Sequence, residues 1–308
     1  MKEFLNKHIR NTSKWTDISV IAMIITFILL LVGQVLGLAI VRLLHLNHAT
    51  DPAIEIAMQY FAFIGIWIIF VPLLFLKSNK PMLKLLLPNK EGNNWKGILI
   101  GSALGFGLNA VCVVLSILKK DIGLSFDIFE ILPLLFIFLC VMVQSGAEEL
   151  VCRLYLMNKH TRRYINPWVA VIMNSLFFAA LHVFNPGVGF WPIVQIVIIG
   201  IVLSVETMYF NSFYGAVMIH TLWNYTQNII FGLPNSGIVS PYSIFHLDAA
   251  ASGFFFDPAF GVEGSPGACL IQLITLIIMI YIIRKKNLKP WNVWEEKIEV
   301  QTQTQPTE

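Results

Sequence analysis

The stretch FEILPLLFIFLCVMVQSGAEELVCRLYLM, residues 129–157, decides the fold class of this chain. Its apolar side chains continue for more than the roughly 20 residues that an α-helix needs to cross a bilayer. Glu148, Glu149 and Arg153 nevertheless lie inside it. Ionisable groups within a membrane helix cost about 2.5–3.5 kcal/mol each on insertion scales, so they usually face a protein interior or a wet cavity. The stretch therefore predicts a membrane helix that carries a polar site.

The composition extends this prediction to the whole chain. Of the 308 residues, 56% are hydrophobic and 13% are charged, and the mean hydropathy of +0.72 is far above that of ordinary soluble domains. Apolar runs compatible with spanning helices occur at about 18–45, 55–76, 95–118, 129–157, 167–184, 190–209, 213–231 and 267–284. We expect an all-α, polytopic transmembrane bundle of about eight helices. The net charge of +3 gives no reason to expect a nucleic-acid partner.

The distribution of Lys and Arg predicts the orientation of the bundle. Basic residues precede the first run and follow the second, fourth and eighth runs: Lys2, Lys7, Arg10, Lys14; Lys77, Lys80, Lys84, Lys90; Lys159, Arg162, Arg163; Arg284, Lys285, Lys286, Lys289. Eight spans put all these loops on one side, which the positive-inside rule makes cytoplasmic. Both termini are then cytoplasmic. We expect a multi-pass integral membrane protein, located in a bacterial plasma membrane.

Four segments follow from this arrangement. Residues 1–129 hold the cytoplasmic N-terminus and the first three helices, and residues 130–231 hold the core with the intramembrane polar residues. Residues 232–266 contain no Lys or Arg and form an external loop, in which His246 and Asp248 are expected to be solvated. Residues 267–308 hold the last helix and a polar cytoplasmic tail. The four cysteines lack paired spacing and are predicted to be small core residues.

Helical spacing groups the polar residues of the core. Glu149 and Arg153 are four residues apart, which predicts an ion pair, whereas Glu148 is turned about 100° away and is free to point elsewhere. His220 and Asn224 are also four apart and share one helix face. His182 ends the fifth run, and Glu206 lies near the end of the sixth, where an interfacial position is expected. Idealised spans place Glu148 and His182 in opposite halves of the membrane, about 10 Å apart in depth.

These residue types are compatible with more than one chemistry. A carboxylate in a partly dry cavity can act as a general base toward water, while imidazole and carboxamide groups can donate to an oxyanion. Glu148, His182 and His220 are alternatively a plausible set of three zinc ligands that leaves one position open for water. Structural explanations also exist, since Glu149 with Arg153 can fix helix packing and Asn224 can hydrogen-bond between helices. The residues alone leave these alternatives open.

Three motifs in order narrow the alternatives. EELVCR at 148–153 matches EExxxR, FAALH at 178–182 matches FxxxH, and HTLWN at 220–224 matches HxxxN. The set resembles the CPBP family, that is, the CAAX prenyl protease and bacteriocin-processing or Abi family, which includes the type II CAAX prenyl endopeptidases. The likeness covers roughly residues 130–230. HExxH, GxGD and GxSG, the motifs of other membrane proteases, are missing from the sequence.

The resemblance implies an intramembrane endopeptidase that acts on a membrane-associated peptide or protein. Carried over by position, Glu148 would activate water with the assistance of His182. His220 and Asn224 would stabilise the oxyanion, and the pair Glu149 and Arg153 would support the site. We favour this glutamate mechanism without a cofactor over a Zn²⁺ metalloprotease, because Asn is an uncommon zinc ligand but a good oxyanion donor.

Two other classes of function remain as alternatives. Chains of intramembrane Glu and His also serve as proton relays in transporters, although the sequence has neither repeat symmetry nor paired broken-helix signals. A non-catalytic immunity or scaffold protein could bind a partner through the same cavity. The enzyme hypothesis differs from the immunity or scaffold hypothesis because it requires a carboxylate at Glu148, whereas a non-catalytic protein would tolerate Glu148→Gln.

Overall fold

A computed structural model of the chain describes residues 8–44 and 50–295. The fold is a helical bundle with one small two-stranded sheet among the described residues. The helices are α1 (Ser19–Leu43), α2 (Pro52–Phe61), α3 (Ile64–Phe75), α4 (Trp95–Leu118), α5 (Ile131–Glu149), α6 (Met157–Arg163), α7 (Pro167–Ala180), α8 (Phe190–Tyr209), α9 (Phe213–Tyr225) and α10 (Pro266–Lys286). Two π-helical stretches, Leu150–Leu156 and Thr226–Ile230, continue α5 and α9, and short 3₁₀ turns cover Trp15–Asp17, Lys80–Leu86 and Val262–Gly264.

The all-α membrane prediction is confirmed. Six of the described helices are long and apolar enough to cross a membrane: Ser19–Leu43, Pro52–Phe75, Trp95–Leu118, Ile131–Arg163, Phe190–Tyr209 and Pro266–Lys286. The fifth and seventh predicted runs are helical but shorter, because α7 has 14 residues and α9 has 13 before its π-helical continuation. The chain is therefore an integral membrane protein whose two shorter helices lie among longer ones.

The prediction that Lys159, Arg162 and Arg163 lie in a loop is wrong, because the fourth helix continues through them to Arg163. Burial of the charges explains the continuation. The Arg162 guanidinium donates to both carboxylate oxygens of Asp17, 2.7 Å from Nε to Oδ2, and Lys159 Nζ lies 3.6 Å from Asp17 Oδ1. Arg162 Nη1 also donates to the Ser78 carbonyl oxygen at 2.8 Å. These contacts replace solvent around the charged side chains.

Small residues bring α4 and α9 into backbone contact. A Cβ atom on Gly101 would lie 2.4 Å from the Gly215 carbonyl oxygen, and one on Gly105 would lie 2.4 Å from the Ile219 carbonyl oxygen. Only glycine permits this approach, and small residues are the usual contact points between membrane helices. Ile219 directly precedes His220, so the packing of α4 against α9 fixes the position of that imidazole.

The segments between α4 and α5 and between α9 and α10 pair as a two-stranded antiparallel sheet, which the sequence did not predict. Strand β1 (Ile122–Phe126) pairs with β2 (Phe245–Ala250), and the register shifts between Gly123 and Leu124. His246 and Asp248 are exposed on β2, as expected. All four cysteines are free and buried, as predicted. The predicted tail residues 296–308, and Lys2 and Lys7 of the N-terminal charge cluster, lie outside the described residues.

Candidate active site

The helix lengths place Glu148 and His182 on one cavity, although idealised spans separate them by about 10 Å or more in depth. The cavity has a volume of about 230 Å³, and both side chains line it. Glu148 lies near the middle of the 33-residue helix Ile131–Arg163, about 22 Å of helical rise from its end at Arg163. The short helix α7 starts at Pro167, and about the same rise takes the chain to His182. The contact of Phe178 with Arg153 places the end of α7 beside the middle of that longer helix.

Glu149, Arg153 and His220 form a buried charged cluster. Arg153 Nη1 donates to Glu149 Oε1 at 3.0 Å, and His220 Nδ1 lies 2.9 Å from the same oxygen. Both Glu149 and Arg153 are fully buried. Since the Glu149 carboxylate can only accept, His220 donates through Nδ1 and turns Nε2 toward the cavity. The predicted ion pair is confirmed, and it also holds His220.

The Arg153 guanidinium has two further partners. Its Nη2 donates to the Gly200 carbonyl oxygen of α8 at 3.2 Å, and its carbon lies 4.6 Å from the centre of the Phe178 ring of α7. Arg153 therefore connects the helix of the EExxxR motif to two neighbouring helices. Two of the three guanidinium nitrogens thus have hydrogen-bond partners and the group packs on an aromatic face, while Nε has no partner among the described residues.

The π-helical stretch Leu150–Leu156 begins immediately after Glu149. Its wider turn changes the pairing of the backbone carbonyl groups. The side-chain nitrogen Nδ2 of Asn158 donates to the carbonyl oxygen of Arg153 at 3.2 Å and to that of Leu154 at 2.8 Å. Single π-helical turns are frequent at functional sites, because they change which side chains share a face. A second π-helical stretch, Thr226–Ile230, follows the HxxxN motif in the same way.

Glu148 has a different environment from Glu149. Gln144 Nε2 donates to Glu148 Oε1 at 2.7 Å, and Glu148 Oε2 lies 3.6 Å from His220 Nε2. The Oε2 atom has no hydrogen-bond partner in the described part of the chain. One carboxylate oxygen is thus held in place, while the other is available inside the cavity.

His182 and Phe178 lie together at the end of α7. His182 Nδ1 is 2.8 Å from the Phe178 carbonyl oxygen, so Nδ1 carries the hydrogen and Nε2 is left as an acceptor. The Phe178 ring also packs edge-on against His220, with 5.8 Å between the ring centroids. The FxxxH motif therefore contributes an orienting aromatic ring as well as an imidazole.

Asn224 completes the predicted set, and polar residues that the sequence did not predict surround it. Asn224 Nδ2 donates to Gln144 Oε1 at 3.1 Å, and Asn224 Oδ1 accepts from Asn235 Nδ2 at 3.3 Å. All three amide side chains are buried and line the cavity. Gln144 had a detectable signal, since it is a carboxamide four residues before Glu148 in an apolar helix. Asn235 lies in the segment predicted to be a loop and had none.

Two other acidic residues differ from expectation. Glu206 was expected at an interface, but it is buried and does not line the cavity. Glu263, in the predicted external loop, lines the cavity and accepts from Trp223 Nε1 at 3.3 Å and Ser236 Oγ at 2.9 Å. Burial raises the pKa of the Glu263 carboxyl to about 7, although the donated hydrogen bonds act in the opposite direction. Part of the loop therefore folds back onto the site.

The donors of the alternative zinc set line one cavity but are not grouped as metal ligands. Glu148, His182 and His220 line one cavity, but within residues 8–44 and 50–295 no group of three or more His, Cys, Asp or Glu side chains is placed to hold a metal ion. His220 Nδ1 is already bonded to Glu149. The arrangement of these three side chains therefore does not fit the compact, four-coordinate geometry of a catalytic zinc site.

Comparison with known families supports the motif assignment. Residues 130–226 match the family model described as Type II CAAX prenyl endopeptidase Rce1-like. The match covers about a third of the chain and includes all three motifs, from Glu148 to Asn224. The family resemblance is thereby confirmed over the segment that carries it. No curated protein matches the chain.

Proposed function

We propose that this chain, whose core is related to the type II CAAX prenyl endopeptidases, is an intramembrane endopeptidase in which Glu148 activates water. The observation that carries the proposal is the free Oε2 atom of Glu148 in a cavity that His182, His220 and Asn224 also line. A general base, groups that can orient water and groups that can stabilise an oxyanion are the parts needed to hydrolyse a peptide bond. The family match supports the same class of reaction.

Each side chain has a role that follows from its free atoms. Glu148 Oε2 takes a proton from the water molecule, whose oxygen attacks the carbonyl carbon of the scissile peptide bond. His182 Nε2 accepts a hydrogen bond from that water and orients it. Asn224 Nδ2, and His220 Nε2 in the doubly protonated imidazolium, donate to the carbonyl oxygen as it becomes negatively charged, and the proton on Glu148 then passes to the leaving amine. Such donors strengthen as charge develops, so they lower the barrier rather than only binding the substrate.

Glu149 and Arg153 act through His220 in this proposal. Glu149 Oε1 accepts from His220 Nδ1 at 2.9 Å, and Arg153 balances the carboxylate charge at 3.0 Å. A fixed Nδ1 bond determines the ring orientation and leaves Nε2 on the side of the reacting groups. The adjacent carboxylates therefore have separate tasks, one as base and one as support.

The size of the cavity limits the substrate to a narrow segment. A volume of about 230 Å³ is smaller than the roughly 300–1,000 Å³ of typical small-molecule pockets. It suits a short extended piece of peptide around the scissile bond, with the rest of a membrane-associated substrate in the bilayer. The charge distribution supports cytoplasmic termini, and we further propose that the membrane is a bacterial plasma membrane.

The test is a cleavage assay in membranes with matched expression of wild type, Glu148→Gln, His182→Ala and His220→Ala. The probe is an internally quenched peptide that ends in a farnesylated CaaX sequence. Glu206→Gln is the matched control, because it replaces a buried carboxylate outside the cavity. We expect all three site variants to lose activity and the control to retain it. Activity in a folded Glu148→Gln variant would refute the mechanism.

A chelator distinguishes the glutamate mechanism from the zinc alternative in the same assay. We expect 1,10-phenanthroline to leave the rate unchanged, since the proposed steps use only side chains and water. Inhibition that added Zn²⁺ reverses would instead assign Glu148, His182 and His220 to ligand roles. If the site variants all behave like wild type, the cavity serves binding or transport.

A further inference from the structure

Four buried side chains form a continuous line of hydrogen bonds from the segment after α9 to the proposed base. Asn235 Nδ2 donates to Asn224 Oδ1 at 3.3 Å, and Asn224 Nδ2 donates to Gln144 Oε1 at 3.1 Å. Gln144 Nε2 then donates to Glu148 Oε1 at 2.7 Å. Every donor in the line points toward Glu148. The three carboxamides come from α5, from α9 and from the segment that follows α9.

The carboxylate at one end fixes this direction. An ionised carboxylate only accepts, so Gln144 must present its NH₂ group to Glu148 and its oxygen to Asn224. Asn224 must then present its NH₂ group to Gln144 and its oxygen toward Asn235, and Asn235 must donate. Reversing any one carboxamide would place two acceptors or two donors against each other. The orientation of Asn224 is therefore determined from both of its sides.

We infer that Asn235 is a positioning residue that keeps the Asn224 NH₂ group turned toward the reacting groups. This inference rests on the proposed function, because it assigns Asn224 as an oxyanion donor. The Asn224 nitrogen has two hydrogens, and only one is needed for Gln144. The other remains available to a ligand in the cavity. If Asn224 turned over, its oxygen would face the developing negative charge and would oppose the reaction.

The backbone around Asn235 is built to hold it. Asn235 N and O form reciprocal hydrogen bonds with Ile238, both at 2.9 Å. The next residue, Ser236, donates through its backbone N–H and its hydroxyl to the Glu263 carboxylate. Asn235 itself is 5% exposed. A buried side chain on a doubly anchored turn has little freedom to change its partner.

The position of Asn235 lies outside the matched segment 130–226. The site is therefore not complete within the three motifs, since the orientation of the last motif residue depends on the segment after α9. Glu263, which anchors Ser236, comes from the same segment, close to the start of α10. Residues 233–264 thus contribute to the proposed reaction through hydrogen bonding.

Two substitutions at Asn235 separate positioning from simple packing. Asn235→Ala removes one hydrogen bond but leaves Asn224 oriented by Gln144. Asn235→Asp keeps the shape but presents an acceptor to Asn224 Oδ1, which favours the reversed orientation of the carboxamide. A packing role predicts that the isosteric Asp variant is milder than the Ala variant. A positioning role predicts the opposite order.

The assay is cleavage of the farnesylated, quenched CaaX peptide by purified protein in lipid nanodiscs. We expect kcat to fall about 3–10-fold in Asn235→Ala and about 100-fold in Asn235→Asp, approaching the loss seen when one oxyanion donor is removed. KM should stay within about twofold of wild type, because the interaction matters in the transition state. The deficit of Asn235→Asp should shrink at acid pH, where the protonated side chain presents an O–H donor in place of the amide.

A double variant controls for the charge that Asn235→Asp introduces. In an Asn224→Ala background, Asn235→Asp should cause less than a twofold further loss, because its effect passes through Asn224. A further loss as large as in wild type, or an Asp variant as active as the Ala variant, would overturn the inference. Failure of the proposed function gives a different pattern, in which wild type does not cleave or Glu148→Gln still does. The melting temperatures of wild type, Asn235→Asp, Asn224→Ala and the double variant then test the amide direction. Asn235→Asp should melt below wild type, and this difference should be lost in the Asn224→Ala background.

Discussion

Removing the Arg153 side chain should strongly destabilise the protein, because it leaves a buried carboxylate with one partner fewer. Arg153 and Glu149 are both fully buried and are joined at 3.0 Å. We predict that Arg153→Met lowers the free energy of unfolding by about 3–5 kcal/mol, the usual result of breaking one side of a buried ion pair. Arg153→Lys keeps the charge but cannot bond Glu149 and the Gly200 carbonyl oxygen in the same way, so a smaller loss is expected.

The contacts of the Arg153 side chain account for this loss of unfolding free energy. A hydrogen bond to a charged group contributes about 1.5–3 kcal/mol, and the Arg153 contact with the Phe178 ring contributes roughly 0.5–2 kcal/mol. The Gly200 carbonyl oxygen loses one donor and keeps Ser204 Oγ at 2.7 Å. His220 still donates to Glu149, which limits the penalty for the remaining carboxylate and keeps the total near the stated range.

A double-mutant cycle with Glu149→Gln tests the reasoning. Glu149→Gln alone leaves the Arg153 charge unpaired, whereas the double variant has neither charge. We expect the double variant to be more stable than the sum of the single effects by about 2 kcal/mol or more, measured by reversible unfolding in mixed micelles. Single effects that add within about 0.5 kcal/mol would show that the two side chains do not interact energetically.

Two further predictions concern packing and pH. Gly105→Ala should lower the free energy of unfolding by about 1–3 kcal/mol through overpacking, since its Cβ would lie 2.4 Å from the Ile219 carbonyl oxygen. Gly107→Ala on the same helix meets nothing within 4 Å and should be neutral or stabilising in the same measurement; equal losses would contradict the close contact of α4 and α9. Burial raises the pKa of Glu263 from 4.5 to about 7, so the folded state holds this proton more tightly than the unfolded state does. The resulting contribution of Glu263 to stability, about 3 kcal/mol, is full below pH 4.5 and is lost as pH rises through about 7. Unfolding titrations should show Glu263→Gln with a flatter dependence over this range, and an unchanged slope would show that Glu263 is not its source.

Local patterns predicted the parts of the fold that depend on local physics. The length of an apolar run is enough to predict a membrane helix, and Trp95–Leu118 matches the predicted run 95–118. The ends were less predictable where charge is buried by distant partners. Lys159 and Arg162 look like loop residues until Asp17 is known to lie beside them. Tertiary pairing across the chain determined where that helix ends.

The same distinction applies to the candidate site. The four-residue spacing predicted the Glu149–Arg153 pair and the shared face of His220 and Asn224, because both depend only on helix geometry. Asn235 and Glu263 belong to a segment without Lys or Arg that was predicted to be an external loop. Their burial depends on how that segment folds back over the helices, and no local sequence pattern indicates this. Contacts of this kind can be predicted only when the tertiary structure is known.

The two adjacent carboxylates differ in what surrounds them, and this difference supports the proposal that Glu148 rather than Glu149 is the base. Glu149 has a cation at 3.0 Å and an imidazole donor at 2.9 Å, both on one oxygen, so a proton added there would disrupt an ion pair. Glu148 accepts from a neutral carboxamide on Oε1, and its Oε2, 3.6 Å from His220 Nε2, has no hydrogen-bond partner among the described residues. With Arg153 and His220 both bonded to Glu149, we propose Glu148, whose carboxylate lines the cavity, as the base.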